Sequence, residues 1–331
     1  MPPATSERGG APPTTGPGGH RPPVLAFGEV RTCLLQNQAA LSPSAVTALV
    51  QLSPGSPVSR VERPVHRAVS ADLLTGVDCG LHVLRHGRGR AIGTVLSHAI
   101  VTGGRVLQGS AYVTLLPAAS RERQAWRHYL RRPGVAEIIG SPDPDNVLDG
   151  FLDDQPPARG LDLASISDRI VEDVQQSSVL DHGTALRASA TTTRWAASLR
   201  PDSTLAVGIV KSHMTNAHVI RLRGHPDDLP TLLRFCEEFA LHEWLLATVR
   251  DVVVVRAEHA VAQDRDPLDS LLFALNQLMP LWMPPRYLNA RIKELWDGLE
   301  RRTHYELVFL RATERVRDLR DQMRIRPPRR I

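Results

Sequence analysis

The stretch "RAIGTVLSHAIVTGGRVLQGSAYVTLL", Arg90 to Leu116, decides the fold. It carries runs rich in Val, Ile, Thr and Tyr on either side of Gly103-Gly104. β-Branched and aromatic residues suit a pleated, half-buried surface, and a Gly-Gly link tolerates the positive φ of a tight turn. The pattern predicts two antiparallel strands joined by a two-residue link. Upstream, "LAFGEVRTCLL" reads as a further strand. "SPSAVTALVQL" reads as a short helix with Ser42 as N-cap and Pro43 in the first turn, where a missing N–H costs least. "VSRVERPVHRAVS" alternates, but Pro64 within it confines it to a sheet edge or a bulge.

Beyond Leu116 the character changes. "SRERQAWRHYLRR" is a helix stopped by Pro133-Gly134, and "GSPDPDNVLDGFLDDQPPARG" reads as an acidic loop. "DLASISDRIVEDVQQSSVL" places Ile166, Ile170 and Val174 four apart, an amphipathic helix. "STLAVGIVKSHMTNAHVIRLRG" is one more hairpin. From Asp227 the chain is helical. Leu232, Phe235, Cys236, Phe239, Leu246 and Val249 form a stripe too apolar for a lone surface helix. Asp266 and Pro267 open the next helix, "PLWMPP" breaks it, and Leu288, Ile292, Leu295 and Leu299 mark another. The last helix is expected to bury Val308, Ala312, Val316, Leu319 and Met323.

These patterns predict an α+β protein: a mostly antiparallel, β-rich N-terminal domain followed by a helical C-terminal domain. The expected divisions are a Pro/Gly-rich disordered tail over 1–23, a β-rich domain over 24–118, and a helical and loop linking region over 119–203. A β hairpin with a helical domain over 204–323 and a basic tail over 324–331 complete the chain. The tail over 1–23 holds seven prolines and five glycines and almost nothing to bury.

Charge narrows the function classes. The net charge is +5, and all but two of the 40 basic residues are arginine, the exceptions being Lys211 and Lys293. Residues 311–331 hold eight arginines against Glu314, Asp318 and Asp321, so the excess sits in that segment and the rest is formally neutral. Arg324, Arg326, Arg329 and Arg330 are the candidate polyanion contacts, of a kind that salt screens. Three cysteines, Cys33, Cys79 and Cys236, are too few for a disulfide framework and fit a reducing cytoplasm. No apolar run reaches membrane-spanning length. Cytoplasmic localisation is the expectation.

"DCGLHVLRHGRGR", Asp78 to Arg90, gathers Cys79, His82 and His86. Zinc takes such ligands but needs three or four, and the only further candidates, His66, His98 and Asp78, stand at no diagnostic spacing. Gly87, Gly89 and Gly93 precede a β-rich run, not the helix that a phosphate cradle opens. His242-Glu243 lacks a second histidine one turn on, where Leu246 stands. Asp143, Asp145, Asp149, Asp153 and Asp154 miss calcium-loop spacing. No nucleophile elbow occurs. No cofactor and no intrinsic enzymatic activity are expected.

At "GEVRTCLL", "LTGVDCGL", "IVTGGRVLQGS" and "ALHEWLLATV" the chain resembles an actinobacterial, streptomycete-type protein family, over Phe27 to about Trp296. The genes of that family lie in small clusters beside a variant P-loop protein and two further proteins. The resemblance implies a cytosolic accessory component acting beside a P-loop partner, and supplies no substrate, cofactor or active residue.

Three of the five tryptophans follow Leu241. Trp244, Met279, Trp282, Met283 and Trp296 are therefore the candidate protein-binding residues, since tryptophan and methionine are enriched at interface cores. The expected function is a non-catalytic accessory or scaffold protein that binds another protein, a P-loop NTPase-like one by resemblance. The alternatives are a metal-dependent enzyme built on Cys79, His82 and His86, and a weak nucleic-acid-binding regulator using the basic tail.

Overall fold

The computed structural model describes residues 24–61, 65–84, 89–153, 160–184, 186–213, 217–259, 272–282 and 289–325. The expected tail over 1–23, and the helix start at Asp266 and Pro267, lie outside these residues.

The architecture is α+β: a ten-stranded, mostly antiparallel mixed sheet followed by a helical C-terminal region. β1 (Val24–Leu34) runs through the middle, antiparallel to β6 (Val106–Pro117) on one side and β8 (Thr191–Leu199) on the other. It is buried on both faces, as a central strand must be. Beyond β8 lie β10 (Ala217–Gly224), parallel to it, and β9 (Ala206–His213) at the edge. β5 (Gly89–Thr102) pairs with β6, and its other side takes β3 (Arg67–Val69) and β4 (Leu73–Leu81). β2 (Ser59–Val61) pairs with β3 at the margin of the sheet, and Pro64, on which the expected edge or bulge rested, lies outside the described residues.

The β5–β6 hairpin forms as the sequence predicts, with Gly103 and Gly104 both at positive φ. Thr102 pairs with Val106, so the link is three residues long and not two. At the far end the hairpin forks. β7 (Val135–Ile139) enters the fork, antiparallel to β5 through Arg90–Gly93 and parallel to β6 through Thr114–Pro117.

Segment 119–203, expected to be helices and loops, thus contributes β7 and the central strand β8 to the same sheet. The acidic "loop" corrects likewise. Asp143 accepts from the N–H groups of Asp145 and Asn146 at 2.8 and 3.2 Å, and Pro144 starts helix α3 (Pro144–Phe151). Its Val147 and Leu148 are buried beneath the sheet, and its Asp145 and Asp149 hold Arg221 of β10.

Helices cover both faces. On one lie α1 (Pro43–Val50), α3 and α4 (Leu163–Gln175). Ser42 caps α1 as expected. The short α2 (Trp126–Leu130) packs on β5. Across the other face runs α5 (Leu229–His259), beneath α6 (Ala290–Thr303) and α7 (Tyr305–Ile325). α5 is apolar around most of its girth because it is a middle layer: Leu232, Phe235, Cys236 and Phe239 are fully buried. α7 buries Tyr305, Phe309, Val316 and Leu319. The expected Val308 points outward, because the row is set one residue later by Phe309, stacked 3.5 Å from Trp282.

Candidate functional site

The stretch that gathered Cys79 and His82 is the end of β4 and its exit. Successive strand residues face opposite sides. Cys79 turns inward with Val77 and Leu81, against the core beneath α3. Burial pushes its thiol up to about 11, so at neutral pH it is an inert, protonated side chain. Asp78 faces the other way and pairs with Arg90 and Arg123 at 2.7 and 3.1 Å. Asp78 and Cys79 therefore do not converge on one point. His82 turns its Nε2 to Asp153 Oδ2 at 3.4 Å. His66 is held at the β5–β6 turn, where its carbonyl accepts from the Gly103 N–H at 2.8 Å. His86 lies outside the described residues. Among the described residues no group of three or more His, Cys, Asp or Glu side chains is placed to hold a metal ion.

What the structure builds beside His82 is a cavity of about 200 Å³ between β1, β8, α3 and the start of α4. Phe27, Leu81, Val147, Phe151, Leu161 and Leu163 make its apolar walls. Two charged groups enter it from neighbouring strands. Glu29 of β1 stands directly across from Arg194 of β8 in the sheet register. Arg194 Nε lies 3.2 Å from Glu29 Oε2. Its Nη1 donates to the Asp153 carbonyl at 3.0 Å, and its guanidinium lies 5.6 Å from the Phe151 ring centre. Phe151 in turn stacks on Phe27 at 4.3 Å. Burial pushes the Glu29 carboxyl up, opposed by the Arg194 charge. Sequence reasoning passed over both residues: a lone Glu in one strand and a lone Arg 165 positions later carry no spacing signal.

The expected protein-binding residues separate into two sets. Trp244 and Trp296 are in the core, fully and almost fully buried, and present no surface to a partner. Trp244 Nε1 donates to the Ser189 carbonyl at 3.0 Å. His242 is also buried, with Nδ1 2.6 Å from the Glu238 carbonyl and its ring 4.5 Å from Trp282 and 4.8 Å from Trp296. Trp282 and Met279 are only partly buried, at the seam between α5 and α7. Met283 lies outside the described residues.

Around Phe309, which stacks on Trp282, the first turns of α7 expose Leu307, Val308 and Leu310 to 44%, 38% and 51%. They are three of the eight large apolar side chains exposed among the described residues, and they come from a single helical turn. Arg324 lies in the last turn of α7, while Arg326, Arg329 and Arg330 lie outside the described residues. No helix among the described residues is long and apolar enough to cross a membrane.

No protein-family model, no curated protein and no solved structure matches the chain.

Proposed function

We propose that the protein is a non-catalytic accessory component that docks another protein on the outer face of α7. The observation that carries this reading is the cluster of Leu307, Val308 and Leu310, exposed on the helical turn whose inner residue, Phe309, stacks on Trp282. An apolar helix face left in water is the usual material of a helix-in-groove contact. The inner side of the same turn is fixed: Phe309 stacks on Trp282, and Tyr305 lies 5.4 Å from it. The face is thus presented rigidly, which limits the ordering cost of association. The +5 charge of residues 311–331 favours a partner groove with an acidic rim. The sequence resemblance supports a P-loop protein encoded alongside as that partner, in a cytosolic multi-component system.

The test is co-expression of the full chain with that P-loop protein, followed by co-purification. Leu307→Asp with Leu310→Asp, both at exposed positions, is expected to abolish recovery of the partner while leaving the circular dichroism spectrum unchanged. Undiminished recovery overturns the reading. A homodimer dissolved by the same double substitution overturns it too, assigning the face to self-association.

A further inference from the structure

We propose that the cavity between β1, β8, α3 and α4 is a binding site for a small neutral ligand with an amide-type edge, a carbonyl acceptor beside an N–H donor, on an apolar body. The cavity lies on the opposite face of the sheet from α7, so this inference stands apart from the docking reading.

Glu29 is 2% exposed, and its one ionic contact among the described residues is to Arg194, through Oε2. Its Oε1 carries no hydrogen bond to any described residue. A carboxylate oxygen that opens on a cavity with apolar walls is completed there by water or by a ligand. Arg194 is in the complementary condition. Nε is committed to Glu29, Nη1 to the carbonyls of Asp153 and Phe151, and the guanidinium lies over the Phe151 ring. Nη2 has no hydrogen bond to any described residue. The cavity end therefore presents a fixed acceptor beside a fixed donor.

Charge selects the ligand class. Glu29 and Arg194 neutralise each other, and the further charges beside the cavity among the described residues are Asp162, whose carboxylate caps α4 through Ser165, and Asp153, 3.4 Å from His82. An anionic ligand meets Arg194 but faces Glu29 and Asp162. An ammonium ligand meets Glu29 but faces Arg194 in a cavity with apolar walls, where charges are poorly screened. A neutral group offering one donor and one acceptor satisfies both free positions and brings no charge out of water. About 200 Å³ corresponds to roughly seven waters of liquid volume, enough for one ring with a polar substituent. Phe27, Leu81, Val147 and Leu163 would cover that ring.

The test uses the full chain with benzamide, nicotinamide and uracil as neutral probes, and benzoate and benzylamine as charged counterparts of benzamide. Binding is read by saturation-transfer NMR and titration calorimetry at millimolar ligand. The expected result is binding of at least one neutral probe, with benzoate and benzylamine weaker than benzamide by about tenfold or more. Ala164→Leu, which adds bulk at a lining position outside the ion pair, is expected to abolish that binding. Glu29→Gln is expected to weaken it by about tenfold. If Glu29→Gln does not fold, Ala164→Leu decides. Failure of all three neutral probes to bind overturns the proposal. So does binding that survives Ala164→Leu, or benzoate or benzylamine binding as tightly as benzamide.

Discussion

Nε2 of His98, on β5, lies 2.7 Å from Oε1 of Glu237, on α5. The other ring nitrogen is 2.9 Å from Asp72 Oδ1, so one buried imidazole holds two carboxylates and ties the sheet to the helix above it. Burial alone would lower the His98 pKa, but the Glu237 charge and the two hydrogen bonds outweigh it and hold it at about 9. Burial would likewise raise Glu237, yet His98, Arg67 and Arg234 hold it at about 2. Tyr112 and Glu238 complete the surroundings.

Stability should follow these directions. For His98, raised in the fold, the contribution is full below its ordinary value of 6.5 and is lost as pH rises through about 9. For Glu237, lowered in the fold, it is full above 4.5 and is lost as pH falls through about 2. Thermal melts between these limits should therefore show a decline on the alkaline side above pH 6.5. His98→Gln should flatten that decline, and an identical alkaline slope in the variant would refute the assignment.

Arg67 is the second tie. Its Nη1 and Nη2 reach Glu238 and Glu237 at 2.6 and 2.5 Å, all three side chains nearly without solvent exposure. Arg67→Ala leaves Glu237 with His98 and Glu238 with Arg234 but takes one positive charge out of a buried cluster, and removal of one partner of a buried pair costs up to about 3–5 kcal/mol. Lysine cannot span both acceptors, so Arg67→Lys should recover little of the loss. Urea-denaturation midpoints measure this. A loss below about 1 kcal/mol in Arg67→Ala would place the pair among screened surface contacts instead.

The sequence discloses some of this and hides the rest for physical reasons. β1, β5 and β6 are legible because long strands built from β-branched residues leave a composition signal, and α4 and α5 because their buried stripes follow the helical period. β8 escapes because it is buried on both faces and spends its positions on Thr, Ala, Arg and Trp, which neither alternate nor form an apolar run. α3 escapes because Asp143 and Pro144 read as turn residues, although the same two are a cap and a first helical position. The tryptophans were countable, but their exposure depends on which helix covers them, and that separates Trp282 from Trp244 and Trp296. The cavity and the His98–Glu237 contact join residues more than a hundred positions apart, which periodicity cannot register.

Glu243, at the other end of the same helix segment, should behave oppositely to Glu237. Burial pushes its carboxyl up to about 7, with only partial relief from Tyr305 and Arg250, and His218 Nε2 stands 3.4 Å away. A carboxyl raised in the fold contributes stability that is full below 4.5 and is lost as pH rises through about 7. Glu243→Gln should therefore stabilise the protein by about 3 kcal/mol at pH 8 and by less than about 1 kcal/mol at pH 5. Equal effects at the two pH values would show that its ionisation carries no stability difference.

Gly28 makes a close approach to Trp195 in the central sheet. The two are directly paired between β1 and β8, and the fully buried indole lies where a Gly28 side chain would project. A methyl at Gly28 would fall within contact of Cε2, Cζ2 and Nε1 of that ring, so the indole must move or the strands must part. Neither is easy, because Trp195 is packed in the same core as Phe235 and Phe239 of α5. Overpacking of this kind costs about 1–3 kcal/mol, so Gly28→Ala should lower stability by that amount. Trp195→Phe alone should also destabilise, by leaving unfilled volume. Combined, the two changes should cost less than their sum, because the smaller ring makes room for the methyl. A double-mutant cycle in chemical denaturation measures the difference. A coupling energy near zero would mean that the strands, not the indole, yield to the added methyl.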